Sequence, residues 1–252
     1  MNPKITEWQG RRVWLVGASS GIGAALARDL AGRGARLALS GRDGGKLQAL
    51  EIANALVLPC DATDTASLGA AHQVLVTTMG GVDLVLYLAG DYVPMQAAGF
   101  DLELAEKVVA VNFTGAMRLA ATVLPDLLGA GGGIAFCASV AGYRGLPKAL
   151  AYGPGKAALI HFAECLHLEL APKGIGVWVI NPGFVATRLT AKNDFNMPAL
   201  LTPEQAAVAT LDGFRRGKFE IHYPKRFTWV MKLLALLPYA WYFPLVRRFT
   251  GG

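Results

Sequence analysis

Gly17-Ala18-Ser19-Ser20-Gly21-Ile22-Gly23 is a glycine-rich turn between the apolar run Arg12–Val16 and the helical run Ala24–Leu30. Its three glycines let the backbone approach a bound group closely. The free N–H groups at the start of the following helix, which is the positive end of the helix dipole, favour a phosphate. A strand, such a turn and a helix in this order predict a pyrophosphate-binding turn; a plain glycine-rich turn is the alternative.

Short apolar runs alternate with longer helical patterns over the rest of the chain. The apolar runs predict buried strands at 12–16, 36–39, 55–58, 82–88, 134–138 and 177–180. The helical patterns lie at 22–32, 46–53, 66–79, 102–128, 150–171 and 203–216. This alternation predicts an α/β fold with a doubly wound parallel sheet of the Rossmann type, whose ligands bind beyond the carboxyl ends of the strands.

The composition of the 252 residues, 53% hydrophobic and 17% charged, is that of a folded chain rather than a disordered one. Residues 1–223 are expected to form a single domain, followed by a C-terminal extension at 224–252. Three widely spaced cysteines and a polar N-terminus favour a reducing compartment, so we expect a cytoplasmic protein. His161 and His167 lie nearly opposite each other on one predicted helix, so Glu164 and Cys165 beside them do not indicate a metal site.

The net charge of +6 is concentrated at the C-terminus. Residues 215–252 hold eight lysines and arginines and one acid, Glu220, which leaves a net charge of −1 on the first 214 residues. The body is therefore not expected to bind polyanions, and we expect no nucleic-acid partner.

Four polar residues indicate a site for proton transfer. Tyr152 and Lys156 are four apart at the start of a predicted helix and so share a face, Ser139 follows a strand, and Asn112 lies in a long helical run. Each alone is equally consistent with a structural role. A phenol that works at neutral pH needs a pKa about three units below its ordinary value near ~10, and a neighbouring ammonium favours that change.

These motifs resemble those of the short-chain dehydrogenase/reductase (SDR) family over about residues 10–223. Asn112, Ser139, Tyr152 and Lys156 match the family's catalytic tetrad. The chain departs from the family at Val16, where a threonine is usual, and at Tyr87-Leu88-Ala89-Gly90, where Asn-Asn-Ala-Gly is usual. The resemblance implies a nicotinamide-dependent oxidoreductase that interconverts a ketone and a secondary alcohol, and a homo-oligomer.

The resemblance also implies the roles of the residues. Tyr152 transfers the proton, Ser139 holds the reacting oxygen, Lys156 lowers the Tyr152 pKa and contacts the ribose, and Asn112 positions a water. The further cofactor-binding residues that it implies are Gly17, Ser19, Ser20, Gly21, Ile22, Gly23, Asp61, Ala62, Ala89, Gly90, Pro182, Gly183, Val185 and Thr187. For Asp61 alone, a helix N-terminal acid is an equally good interpretation. Residues 184–201 would form a mobile lid over the substrate.

The choice of cofactor depends on the end of the second strand, Leu39-Ser40-Gly41-Arg42-Asp43. An acid at the position of Gly41 would bind the ribose hydroxyls and repel a 2′-phosphate. Arg42 can instead bind that phosphate, with Ser19 or Ser20 nearby, and predicts NADP(H). The alternative makes Asp43 the ribose partner and predicts NAD(H).

The C-terminal segment combines aromatic and basic residues. Nine of the 23 aromatic residues follow Lys218, and residues 227–246 are apolar except for Lys232. Pro238 and Pro244 are expected to interrupt a helix there, which argues against a single membrane-spanning helix. We expect peripheral contact with an anionic membrane through residues 225–252, and with it an apolar or lipid-like substrate. An oligomer interface or a cap over the substrate pocket are the alternatives.

Two other functions are compatible with the same motifs. A non-catalytic cofactor-binding protein could use a Rossmann domain for regulation, since a fold does not determine a function. An SDR epimerase could use the same residues through a transient ketone. The intact Ser139, Tyr152 and Lys156 favour a catalyst, and the sequence leaves the substrate and the direction of reaction open.

Overall fold

The structure, a computed structural model, describes residues 1–192 and 197–250. Seven parallel strands form one sheet in the order β3-β2-β1-β4-β5-β6-β7. The strands are β1 (Arg12–Val16), β2 (Arg36–Gly41), β3 (Leu56–Pro59), β4 (Leu84–Tyr87), β5 (Gly133–Cys137), β6 (Gly176–Pro182) and β7 (Glu220–Tyr223). The order reverses beside β1, between β1 and β4, which is where a doubly wound sheet binds its ligand. The predicted fold class is confirmed.

Helices cover both faces of this sheet. They are α1 (Gly21–Gly32), α2 (Gly44–Gln48), α3 (Thr65–Met79), α4 (Leu102–Val109), α5 (Gly115–Ala130), α6 (Tyr152–Leu170), α7 (Pro203–Arg215), α8 (Lys225–Leu236) and α9 (Tyr239–Thr250). Alternate strand residues face two separate hydrophobic cores: Trp14 packs with Leu119 of α5 in one, and Leu15 packs with Leu26 of α1 in the other. Strands buried on both faces explain why the sequence shows continuous apolar runs.

The helix expected over 102–128 is continuous but not regular. A π-helical turn, Ala110–Thr114, joins α4 to α5 and holds Asn112. Among the described residues, Leu102–Ala130 is the one helix that is long and apolar enough to cross a membrane. Its Leu119, Val123 and Leu127 are buried against the sheet, which is the arrangement of a core helix.

Three local expectations are wrong. The helix predicted over 46–53 ends at Gln48, because Glu51 and Asn54 adopt left-handed backbone conformations with φ of 53° and 59°. Strand β7 was not expected, because Glu220 and His222 interrupt its apolar pattern. Pro238 does separate α8 from α9, but Pro244 lies inside α9 without ending it.

Candidate active site

A cleft of about 480 Å³ opens beyond the carboxyl ends of the central strands. Every predicted site residue except Asn112 lines it. These residues are Gly17, Ser19, Ser20, Gly21, Ile22, Gly23, Arg42, Asp61, Ala62, Ala89, Gly90, Ser139, Tyr152, Lys156, Pro182, Gly183, Val185 and Thr187. Residues from the ends of six different strands are thus brought together in one place.

The turn after β1 has a shape that only glycine permits. Gly17 and Gly21 have φ of 97° and 56°. A Cβ atom on Gly17 would lie 2.4 Å from the backbone nitrogen of Ala89, and one on Gly23 would lie 2.2 Å from the carbonyl oxygen of Gly17. The Ser20 hydroxyl makes no capping bond at the start of α1. The turn therefore presents open backbone N–H groups and a hydroxyl to the cleft, which fits a pyrophosphate.

The segment after β6, which contains Thr187, lies next to this glycine turn. A Cβ atom on Gly21 would lie 3.0 Å from the methyl group of Thr187. The Thr190 hydroxyl accepts from the Thr187 N–H at 3.0 Å and donates to the Val185 carbonyl at 2.6 Å, which fixes the segment. Residues 193–196 of the expected lid lie outside the described residues.

The end of β2 places Arg42 and Asp43 in different surroundings. Arg42 is exposed and lines the cleft, beside Gly41, where a Cβ atom would lie 3.6 Å from the Ser19 hydroxyl. Asp43 caps α2, accepting from the Lys46 N–H at 3.1 Å and pairing with the Lys46 ammonium at 3.1 Å. These bonds lower the pKa of Asp43, and its carboxylate is committed to α2.

Asp61 and Ala62 line the cleft beyond β3. The Asp61 carboxylate accepts from the N–H of Thr63 at 2.8 Å and from the Thr63 hydroxyl at 2.7 Å, and these bonds hold the pKa of Asp61 below its usual range. Asp64, three residues later, is the residue that caps α3. Asp61 itself lies four residues before the first residue of α3 and does not cap the helix.

Ser139 and Tyr152 meet beyond the end of β5. The Ser139 hydroxyl accepts from the Ala141 N–H at 3.1 Å, and both Ser139 and Tyr152 line the cleft. Burial raises the pKa of Tyr152 above its ordinary value, and the neighbouring Ser139 hydroxyl only partly opposes this effect. Lys156 by itself therefore does not lower the Tyr152 pKa, and a lowered pKa stays a prediction for the complex with a positively charged nicotinamide ring.

The reason is the position of Lys156. Its ammonium donates to the Cys137 carbonyl at 2.8 Å and lies 5.7 Å from the centre of the Tyr152 ring. The Lys156 side chain is buried, and burial lowers its pKa to about 8. Both groups are thus shifted toward their neutral forms by the same cause, removal from water.

Asn112 lies behind the cleft rather than on its wall. Its amide donates to the carbonyls of Asp91 at 2.6 Å and Val108 at 2.8 Å, while its buried Oδ1 has no partner within the described residues. A Cβ atom on Gly90 would lie 3.2 Å from this Oδ1 and 3.6 Å from the Lys156 ammonium. A small polar group between Asn112 and Lys156 would satisfy the orphaned oxygen.

Tyr87, at one of the positions where the chain departs from the SDR pattern, supports the π-helical turn. Its buried hydroxyl donates to the Val111 carbonyl at 2.5 Å. A Cβ atom on Gly115 would lie 2.4 Å from the same hydroxyl, so the tyrosine fills the space beside the turn that holds Asn112.

Sequence reasoning missed the apolar residues beside the phenol. Tyr92 meets Tyr152 edge to face with ring centres 5.1 Å apart. Val93, Leu104 and Tyr152 pack on a small cluster around Met95. No motif marks these residues, because they come from a loop and a helix that are distant in sequence.

Comparison with known proteins identifies relatives across the chain. Residues 11–197 match the family model of the short chain dehydrogenases. An uncharacterized oxidoreductase of Myxococcus xanthus is 33% identical over 251 residues, covering 97% of this chain and 99% of that protein. A short chain dehydrogenase from Burkholderia cenocepacia, crystallised with NADP, is 23% identical with a TM-score of 0.83 and covers 92% of this chain and 95% of its own. A short chain dehydrogenase/reductase from Burkholderia phymatum, crystallised with NAD, is 22% identical with a TM-score of 0.83. The match covers 91% of this chain and 94% of that protein.

Proposed function

Because this chain belongs to the short-chain dehydrogenase family of oxidoreductases, we propose that it interconverts a ketone and a secondary alcohol with NADP(H). The observation that carries the proposal is the convergence of Ser139, Tyr152 and Lys156 on one cleft that also contains the glycine turn. A non-catalytic binding protein would need the turn but not the other three residues.

Tyr152 is the proton donor for reduction. Its raised pKa keeps the phenol protonated at neutral pH, which is the form required to donate to a carbonyl oxygen. The Ser139 hydroxyl, which lies in the same cleft as Tyr152, can hold the same oxygen as negative charge develops on it. A bound nicotinamide supplies the hydride for reduction and accepts it for oxidation.

Lys156 and Asn112 resupply the proton. With a pKa of about 8, the Lys156 ammonium exchanges its proton near neutral pH without a large energetic cost. The free Oδ1 of Asn112, on the far side of Gly90, fits the second position of a relay that leads from Lys156 toward solvent.

Arg42 supports NADP(H) over NAD(H). Its guanidinium is exposed at the cleft, where it can bind a 2′-phosphate with the Ser19 hydroxyl alongside, while the Asp43 carboxylate caps α2. The two Burkholderia relatives hold different cofactors, so the preference rests on these residues of this chain.

An apolar substrate fits the surroundings of Tyr152. The cluster of Met95, Val93 and Leu104 packs against the phenol ring, and Leu189 lines the cleft beside Gly90. These apolar side chains favour hydrocarbon groups next to the reacting carbonyl, because they offer few hydrogen-bond partners to a polar substrate.

We also propose that the protein is a homo-oligomer. An apolar groove of about 430 Å³ between α4 and the start of α6 is lined by Phe100, Leu102, Val109 and Leu150, three of which are exposed. Sedimentation of the parent and of Leu102→Glu tests this, because a buried carboxylate would dissociate the oligomer.

Turnover tests the proposed reaction directly. The parent should oxidise NADPH in the presence of apolar ketones, and Tyr152→Phe, which keeps the ring but not the proton, should lose about 10²–10⁴-fold in kcat. Tyr239→Phe is a matched control, since it removes an exposed phenol hydroxyl outside the cleft. No NADPH oxidation with any ketone, or an unchanged rate in Tyr152→Phe, would refute the proposal.

A further inference from the structure

Helices α8 and α9 carry an apolar face that the described part of the protein leaves uncovered. Its exposed side chains are Trp229, Val230, Leu233 and Leu236 on α8 and Tyr239, Trp241, Phe243 and Phe249 on α9. Those on α8 recur at the three- and four-residue spacing of one helix face. We refer to these eight residues as the outer face.

The opposite side of the two helices is fixed to the body. Thr228, Met231 and Tyr242 are buried. The guanidinium of Arg144 donates to the carbonyls of Ala235, at 2.8 Å, and Leu237, at the end of α8. It also lies 4.2 Å from the centre of the Tyr242 ring, and the Tyr242 hydroxyl donates to the Gly145 carbonyl at 2.7 Å. The outer face is therefore held outward and cannot turn inward to bury itself.

The positive charge of α8 and α9 indicates which kind of surface they bind. Arg226, Arg247 and Arg248 are exposed on the same two helices, and residues 221–252 contain no aspartate or glutamate. A two-fold contact between copies of this face would place arginines against arginines with no carboxylate to pair them. The face instead complements an apolar surface that carries negative charge.

The length of the helices excludes a spanning arrangement. Each has 12 residues, which gives about 18 Å, against about 30 Å for the hydrocarbon core of a bilayer. Trp229, Tyr239 and Trp241 are residues that settle at the boundary between headgroups and acyl chains. Short helices with such residues and flanking arginines lie in the plane of the interface.

We propose that the outer face docks the protein on an anionic membrane surface, with α8 and α9 lying among the headgroups. The aromatic and aliphatic side chains enter the acyl boundary, and the arginines bind lipid phosphates. Membrane docking does not require that the protein catalyse the proposed reaction.

Docking would also orient the cleft. Phe227, at the start of α8, packs on Phe184 with ring centres 5.3 Å apart, and a Cβ atom on Gly183 would lie 2.8 Å from the Phe227 ring. The docking helices thus adjoin the segment after β6, whose Gly183, Val185 and Thr187 line the cleft. This orientation, which rests on the proposed function, would admit a carbonyl substrate dissolved in the bilayer.

Flotation of the full chain tests docking. Vesicles of phosphatidylcholine with phosphatidylglycerol should carry the protein upward in a density gradient, and vesicles of phosphatidylcholine alone should carry much less. Arg226→Gln/Arg247→Gln/Arg248→Gln should lower the partition coefficient roughly a hundredfold, since each charge near the surface contributes about fivefold. High salt should reduce binding of the parent.

Tryptophan emission gives a second readout. Trp8, Trp14 and Trp178 are buried in the body, whereas Trp229 and Trp241 are 56% and 69% exposed. A blue shift with anionic vesicles, and quenching by brominated acyl chains, would therefore report the outer face alone. Trp229→Ser/Leu233→Ser/Trp241→Ser should abolish flotation; because this variant lacks both exposed tryptophans, the emission shift is read on the parent.

A matched triple variant controls for loss of exposed apolar area. Leu128→Ser/Leu168→Ser/Val208→Ser changes residues that are 51%, 75% and 57% exposed on α5, α6 and α7, and should float like the parent.

Four results would overturn the proposal. One is the absence of flotation with anionic vesicles, and another is equal flotation of the outer-face variant. The third is a sedimentation shift showing that the outer face joins two copies. The fourth is tighter binding to single-stranded DNA than to vesicles. Each can occur with NADPH-dependent turnover intact, and turnover can fail with docking intact, so the two proposals are tested separately.

Discussion

Replacing Arg42 with alanine should weaken NADPH binding about tenfold and leave NADH binding nearly unchanged. A charge-assisted hydrogen bond to phosphate contributes about 1.5–3 kcal/mol, or roughly 10–150-fold in Kd. Arg42 is exposed at the rim of the cleft, where solvent screens its charge, so the lower end of that range applies. Fluorescence titration of the protein with each cofactor measures both constants.

Introducing an acid at Gly41 should reverse the preference for NADPH over NADH. At Gly41 a Cβ atom would meet nothing closer than the Ser19 hydroxyl at 3.6 Å, so Gly41→Asp can be accommodated. Its carboxylate would repel a 2′-phosphate and accept hydrogen bonds from ribose hydroxyls, so NADH should bind more tightly than NADPH in this variant. Arg36→Ala removes an exposed arginine from the opposite end of β2 and is the control. An unchanged ratio of the NADPH and NADH constants in Arg42→Ala would refute the assignment of Arg42.

Lys156→Met should stabilise the protein below pH 8, because it removes a buried charge. The free energy of unfolding of the parent should rise between about pH 8 and 10.5, and that of the variant should not. Burial lowers the Lys156 pKa, so over that range the unfolded parent still holds the proton that the folded parent has lost. Urea unfolding at pH 7 and pH 10 measures this, and parallel curves for parent and variant would contradict it. Asn112→Ala should cost about 1–3 kcal/mol of stability, because the buried carbonyls of Asp91 and Val108 lose their donor; urea unfolding at pH 7 measures it, and an unchanged midpoint would argue against the bonds. Arg144→Ala should speed hydrogen exchange in 225–250 while the sheet stays protected, and Arg144→Lys should not restore protection, because one ammonium cannot replace the guanidinium that bonds several carbonyls and stacks on two rings.

The sequence was sufficient to predict the sheet and most of the cleft, because both depend on local patterns. Strands buried on both faces appear as apolar runs, and the glycines of the first turn are required by positive φ angles and contacts under 3 Å. Residues at the ends of parallel strands necessarily converge, so Ser139 and the segment at Pro182 could be placed without knowing any distance.

The parts that could not be predicted depend on contacts between distant segments. Strand β7 pairs with β6 although its Glu220 is polar, because that carboxylate accepts from the Tyr143 hydroxyl at 2.5 Å and the Asn181 amide at 2.8 Å and pairs with the Lys232 ammonium. None of these partners is marked in the sequence. Asn2 similarly pairs with the backbone N–H of Val177 at 3.0 Å, across 175 positions.

The protonation states in the cleft follow from burial, which residue types alone do not reveal. A phenol and an amine four residues apart suggest an ion pair, yet in the folded chain the Lys156 ammonium donates to the Cys137 carbonyl and lies 5.7 Å from the centre of the Tyr152 ring. Desolvation then raises the pKa of Tyr152 and lowers that of Lys156, so both tend toward the neutral form. A neutral phenol is ready to donate, whereas oxidation of an alcohol needs the phenolate. For the proposed reaction, the rate of alcohol oxidation should therefore rise with pH, whereas the protonated phenol needed for reduction is already present at neutral pH.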